Sequence, residues 1–218
     1  MQIGGSAALV GHDDTLDFLA GERRERAILR HMVLALAAGL ALGALGEALS
    51  RAPGSLHGAY DPYAYILMAA VVGRTAAGFG WAVLSGALAA LGPVLSMLGA
   101  TFFLPEEHVL HMNLDGMMLN IMLLVLTSVA AMAHLTKYRG LRGDVAAGLL
   151  AGIVAIEGVE AVRQAGAGYG GPWSWGAPVV IALLAVVVLS LREGAGRIRA
   201  AAVGLLMGTA YLVSSAGG

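Results

Sequence analysis

Cysteine is absent from the 218 residues. That excludes disulfides, iron–sulfur clusters, thiolate zinc sites and cysteine nucleophiles, and it leaves the redox compartment open. Charge is scarce as well: Asp, Glu, Lys and Arg make up 12% of the chain, against about 25% in soluble domains. There is no P-loop, no GxSxG and no HExxH, which speaks against an ATPase or a standard serine hydrolase, and there is no voltage-sensor-like arginine array. No catalytic residue is therefore assigned. The first 30 residues are polar, acidic and then basic, without the early apolar run of a secretory signal peptide. The longest polar stretch is that same N-terminal segment, so no soluble domain is expected. A net charge of −1 gives no reason to expect a nucleic-acid partner.

What fills the chain instead is apolar. Hydrophobic residues make up 58%, the mean hydropathy is +0.79 and glycine occurs 32 times. Successive long apolar segments mean a polytopic membrane protein, with the lipid bilayer as its solvent and glycine serving close helix–helix packing. The fold class expected is all-α, a membrane helix bundle of about seven transmembrane helices. Residues 1–27 read as a cytoplasmic segment with a short amphipathic helix capped at Asp13 or Asp14, and 28–218 as one transmembrane domain. Spans are expected at about 28–49, 63–73, 81–104, 114–134, 144–162, 178–191 and 200–213. Asp144 is the expected N-cap of the fifth. The second span is short for about 30 Å of hydrocarbon. Gly73, Arg74, Gly78 and Gly80 would turn a hairpin there, and the other reading makes 63–104 one span plus a re-entrant piece. Gly39-x-x-x-Gly43, Gly148-x-x-x-Gly152 and Gly204-x-x-x-Gly208 mark possible packing faces. Trp173 and Trp175 suit an interfacial anchor.

Charge sets the expected orientation. With seven spans, one side holds Arg23, Arg24, Arg26, Arg30, Arg74, Lys137, Arg139, Arg142, Arg192, Arg197 and Arg199, and the other only Arg51 and Arg163. The positive-inside rule then puts the N-terminus in the cytoplasm and the C-terminus outside, in a cell membrane of the bacterial cytoplasmic kind. The outer side collects Glu47, Asp61, Glu106, Glu107, Asp115, Glu157 and Glu160, a net negative surface that would concentrate cations.

Chemistry-bearing residues crowd Pro105–Asn120 and the end of the fifth span. Glu157 and Glu160, three apart, share a helix face with Gln164. A carboxylate one to two turns inside a bilayer is a functional candidate unless it is paired or wet, and an ion pair of Glu160 with Arg163 is the plain alternative. Asp115 and Asn120 of the fourth span would line the same outward-facing site, with Met118 and Met122 on the face of Asp115. Asn120 would otherwise bond another helix. His108 and His111 form HxxH behind Glu106 and Glu107, a set chemically suited to a divalent metal ion. The zincin spacing is missing, and interfacial histidines are the ordinary reading. Methionines in a span are ordinarily packing filler, and His134 reads as a helix-end residue.

Gly73-Arg74-x-Ala76, Ala82-Val83-Leu84-Ser85 and Phe102-Phe103-x-Pro105 resemble the four-helix membrane domain of potassium-responsive sensor histidine kinases, over roughly residues 28–137. The resemblance implies a sensory or regulatory membrane domain and carries no catalytic residue across. This chain departs from it in having no kinase domain, a longer third span and three extra spans. Two functions are expected from these features. One is a transporter-like or solute-binding protein with an outward acidic site for a cation or cationic small solute, lined by Glu157, Glu160, Asp115 and Asn120. The other is a non-catalytic sensory or scaffold subunit of a membrane complex, with a membrane-protein partner or a second copy of the chain bound to it.

Overall fold

A computed structural model of the chain describes residues 7–50, 60–103, 116–166, 185–190 and 192–216. Among the described residues every regular element is helical, and the fold is an all-α bundle. The main helices are α1 (Ala7–Ser50), α2 (Tyr63–Thr75), α3 (Phe79–Phe103), α4 (Gly116–Leu135), α5 (Leu141–Gly166) and α6 (Ala195–Ala216), with a short helical piece at 185–190.

The N-terminal segment and the first apolar run form one helix of 44 residues. Ala, Leu, Glu and Arg are good helix formers and no proline falls between 7 and 50, so nothing breaks the chain at the polar–apolar boundary. Asp13 and Asp14 consequently lie inside α1 and do not cap it. Arg26 and Glu22 pair along its exposed polar half. The α2 helix begins on Pro62, whose carbonyl accepts from Tyr65 N and Ile66 N at 3.1 Å. It ends where Ala76 turns extended (φ −62°, ψ 146°). The break at 76–78 sends α3 back along α2.

Helix α1 packs chiefly on α3, α5 on α6, and α4 on both α2 and α3. The seams are made by glycine. A Cβ on Gly39 would fall on the Ala89 carbonyl and one on Gly92 on the Gly39 backbone, so α1 and α3 approach backbone to backbone. On the α5–α6 seam a Cβ on Gly148 would meet the Ala200 carbonyl, while Gly208 has nothing within 4 Å and takes no part. Ser96 Oγ donates to the Leu40 carbonyl at 2.7 Å across the α1–α3 seam, a polar link of the kind helices use in lipid.

The interior is small and the exterior large. Ala69, Ala90, Leu126, Val129, Ala133 and Leu150 form the main core, and Ala35, Met68, Val72 and Ala89 a second. Meanwhile Leu124, Ile198, Leu205, Leu206 and Val213 are each at least 69% exposed. Soluble monomers rarely leave such contiguous apolar surface in water; small residues inside and large ones outside is the pattern of helices packed in lipid. Three helical segments, Gly21–Leu49, Phe79–Ser96 and Ala195–Ser215, are long and apolar enough to cross a membrane. Tyr63–Thr75 and Leu119–Leu135 are apolar but shorter. Most of the sixth expected span, 178–191, and the Trp173–Trp175 loop lie outside the described residues.

Candidate functional site

Charge separates the bundle into two ends. At one end, Tyr60, Asp61 and Tyr65 from the start of α2 face the last turns of α1, and Pro93, Val94, Leu119 and Met122 close the sides. They enclose a cavity of about 270 Å³ with Glu47 in its wall. Tyr60 Oη donates to the Leu42 carbonyl at 2.5 Å, tying the start of α2 to α1. The Tyr60 and Tyr65 rings meet edge to face, 5.6 Å between centroids. The Tyr65 hydroxyl lies against Gly46, where a Cβ would collide with it. Both Asp61 and Glu47 lie within electrostatic reach of that hydroxyl. Burial, above all, holds the Tyr60 phenol above its ordinary pKa, so at neutral pH it is a hydrogen-bond donor and carries no charge.

Glu157 is half-buried beside Tyr63, Ile66, Leu67 and Val188, at the rim of a narrow apolar cavity of about 80 Å³. Glu160 and Asp61 are its electrostatic neighbours. Glu160 itself pairs with Arg163 at 3.7 Å and accepts from Tyr211 Oη at 3.3 Å. It therefore belongs to a half-exposed ion pair. Asn120 is exposed on α4, next to the cavity-lining Leu119. Asp115, His108 and His111 lie outside the described residues, as do the side chains of Met118 and Gln164. Among the described residues no group of three His, Asp or Glu is placed to hold a metal ion. So Glu157, Glu160 and Asp61 come together on one end, whereas the cavity proper is built from Glu47, Asp61 and the two tyrosines. Those tyrosines carry no motif, and the aromatic spacing Tyr60-x-x-x-x-Tyr65 beside Asp61 was the only trace of them in the chain.

At the other end the basic residues converge. Arg74 Nη1 donates to Thr136 Oγ1 at 2.7 Å and Lys137 Nζ to the Ala76 carbonyl at 2.8 Å, locking the α2–α3 turn to the α4–α5 turn. Burial, and then the Arg74 charge, push the Lys137 amine below its ordinary pKa. Asp144 is not the N-cap of α5. The helix starts three residues earlier, at Leu141, and the carboxylate turns inward, 3.7 Å from Arg192 Nε and 3.5 Å from Arg199 Nε. Two guanidinium groups outcompete the helix's own N–H groups for it. Arg192 is only 6% exposed and donates from Nη1 to the Tyr138 carbonyl at 2.9 Å. His134 is buried between Phe79 and Tyr138, ring centroids 6.5 and 5.8 Å away. Arg24 and His31 of α1 share a cavity with Thr75 and Trp81, which brings the basic half of α1 to this same end.

The chain matches no protein-family model, and neither a curated protein nor a solved structure is significantly similar to it.

Proposed function

We propose that the chain is a multi-pass protein of the bacterial cytoplasmic membrane, with seven spans, its basic end in the cytoplasm and its acidic end outside. Its acidic end binds a cation or a cationic small solute, for uptake or for sensing at the outer surface. The observation that carries this reading is the 270 Å³ cavity with Glu47, Asp61, Tyr60 and Tyr65 in its wall. Two carboxylates supply the charge. The phenols supply polar edges and aromatic faces, which suit an organic ammonium better than a bare metal ion. Glu157 and Glu160 add to the negative potential at the rim, which raises the local concentration of cations. Eleven of the thirteen basic residues fall on the side proposed as cytoplasmic, in keeping with the positive-inside rule.

The test is thermal unfolding of the detergent-purified protein against potassium, magnesium, zinc and a set of primary and quaternary amines. A ligand that binds only the folded state raises the midpoint by mass action. A saturable rise with an organic cation, lost in Glu47→Gln/Asp61→Asn while the variant still inserts and folds, is the expected result. No rise with any cation would sink the binding reading and put the sensory or scaffold-subunit reading in its place.

A further inference from the structure

The basic end holds a second cavity, of about 390 Å³, between the α4–α5 turn and the start of α6. Its lining has five cationic side chains, Arg74, Lys137, Arg139, Arg192 and Arg199. Two acids are also present. Asp144 is held between Arg192 and Arg199, and Glu193 is exposed at the edge. The wall is thus positive even after its internal ion pairs are formed.

Arg192 is the telling residue. It is more than nine-tenths buried. One of its nitrogens donates to Tyr138, but Nε and Nη2 have no hydrogen-bond partner among the described residues. Nε has only the loose 3.7 Å approach to Asp144. Its guanidinium passes directly over Gly143, where a Cβ would strike it. The space for this arginine is therefore made by the backbone at the start of α5. A buried guanidinium with unspent donors is costly unless something accepts from them, and Arg192 lines a cavity whose cations outnumber its acids five to two. The first turn of α5 begins beside the cavity, at Leu141 after Gly140, and adds the partial positive charge of a helix N-terminus.

We propose that this cavity binds a phosphate group, free or as the headgroup of an anionic phospholipid, with Arg192 as the fixed inner ligand and Arg139 and Arg199 closing from the rim. The planar fork of a guanidinium matches two oxygens of a phosphate at once, and a tetrahedral anion has oxygens enough to engage several of these cations together. The site lies where α2 and α4 end and α6 begins, the level at which basic pockets between spanning helices meet lipid headgroups. It is separate from the acidic cavity and does not depend on the cation reading.

The test is again the unfolding midpoint of the full-length protein in an uncharged detergent, at constant ionic strength. It is followed with inorganic phosphate, with phosphatidylglycerol in mixed micelles and with phosphatidylcholine as the zwitterionic control. Native mass spectrometry counts the lipid retained. Arg139→Gln removes an exposed cation and spares the fold, and Arg192→Lys keeps the charge but removes the fork. A saturable rise with phosphatidylglycerol alone, with half-saturation at least tenfold weaker in Arg139→Gln, identifies a lipid headgroup. A rise with inorganic phosphate, weakened in the same way, identifies the free anion. No rise with either, or a rise that is the same with phosphatidylcholine or unchanged in Arg139→Gln, overturns the proposal. If Arg192→Lys does not fold, Arg139→Gln decides alone.

Discussion

The two ends of this bundle use ionisable residues in opposite ways. At the basic end charged residues tie the helices together: Arg74 and Lys137 cross-tie two turns, and Asp144 is 3% exposed between two arginines. At the acidic end Glu160 pairs with Arg163, and that pair is about half exposed. Its other polar groups, Tyr60, Tyr65, Asp61 and Glu47, surround a cavity. The buried Asp144 cluster fixes the register of the helices that supply it, whereas an exposed pair such as Glu160–Arg163 contributes little. The acids at one end were the conspicuous feature of the sequence, while the most buried ionic contact is made by residues at the other end.

Breaking the basic end should hurt most. Asp144→Ala strips the partner from a buried arginine, and loss of one member of a buried pair costs about 3–5 kcal/mol. Denaturant unfolding of the variant in detergent is expected to show a loss of that size. Asp144→Leu combined with Arg192→Met should recover much of it, because a well-packed apolar pair carries no uncompensated charge. If the single variant is as stable as the wild type, the cluster is not structural.

Next comes the seam that holds the two ends apart. Gly39→Leu would drive a side chain into the Ala89 carbonyl, and overpacking of a tight seam costs about 1–3 kcal/mol. Gly208→Leu, on a glycine with nothing within 4 Å, should be close to neutral. The pair of unfolding curves distinguishes a packing seam from a mere abundance of glycine.

The acidic end should be forgiving. Glu160→Gln removes an exposed ion pair worth about 0–1 kcal/mol, and its unfolding midpoint should barely move. A loss as large as that of Asp144→Ala would erase the contrast between the ends.

The smallest effect concerns Lys137, the only lysine in the chain. Its folded-state pKa lies below the ordinary value, so between the two the unfolded chain binds more protons than the folded one. Stability should therefore rise as pH climbs from the folded pKa toward the ordinary lysine value. In Lys137→Met that part of the alkaline rise should vanish, and the difference between the two pH–stability curves measures it.

Much of the architecture was legible because it rests on local rules. The hairpin at 73–80 follows from Gly and Arg interrupting an apolar run, and the structure bends at 76–78. Helices over 63–75, 79–103 and 116–135 follow from apolar stretches bounded by Pro, Gly and charge. The gathering of Arg and Lys at one end was readable from loop positions alone. Contacts between distant residues were not. Asp144 looked like a cap because it opens an apolar run, and only the fold brings Arg192 and Arg199 to it from far along the chain. His134 does lie in the last turn of its helix, as its position implies, but its packing between Phe79 and Tyr138 was not readable. The cavity at the acidic end was hidden for the same reason: Glu47 and Asp61 are fourteen residues apart in the chain.

The central claim is that the acidic end faces out and the basic end faces in. The absence of cysteine makes it directly testable by labelling intact cells with a membrane-impermeant maleimide. Ala48→Cys, exposed beside Glu47, should label in intact cells, whereas Arg142→Cys, exposed at the start of α5, should label only after permeabilisation. The reverse pattern would put the acidic cavity in the cytoplasm and contradict the account.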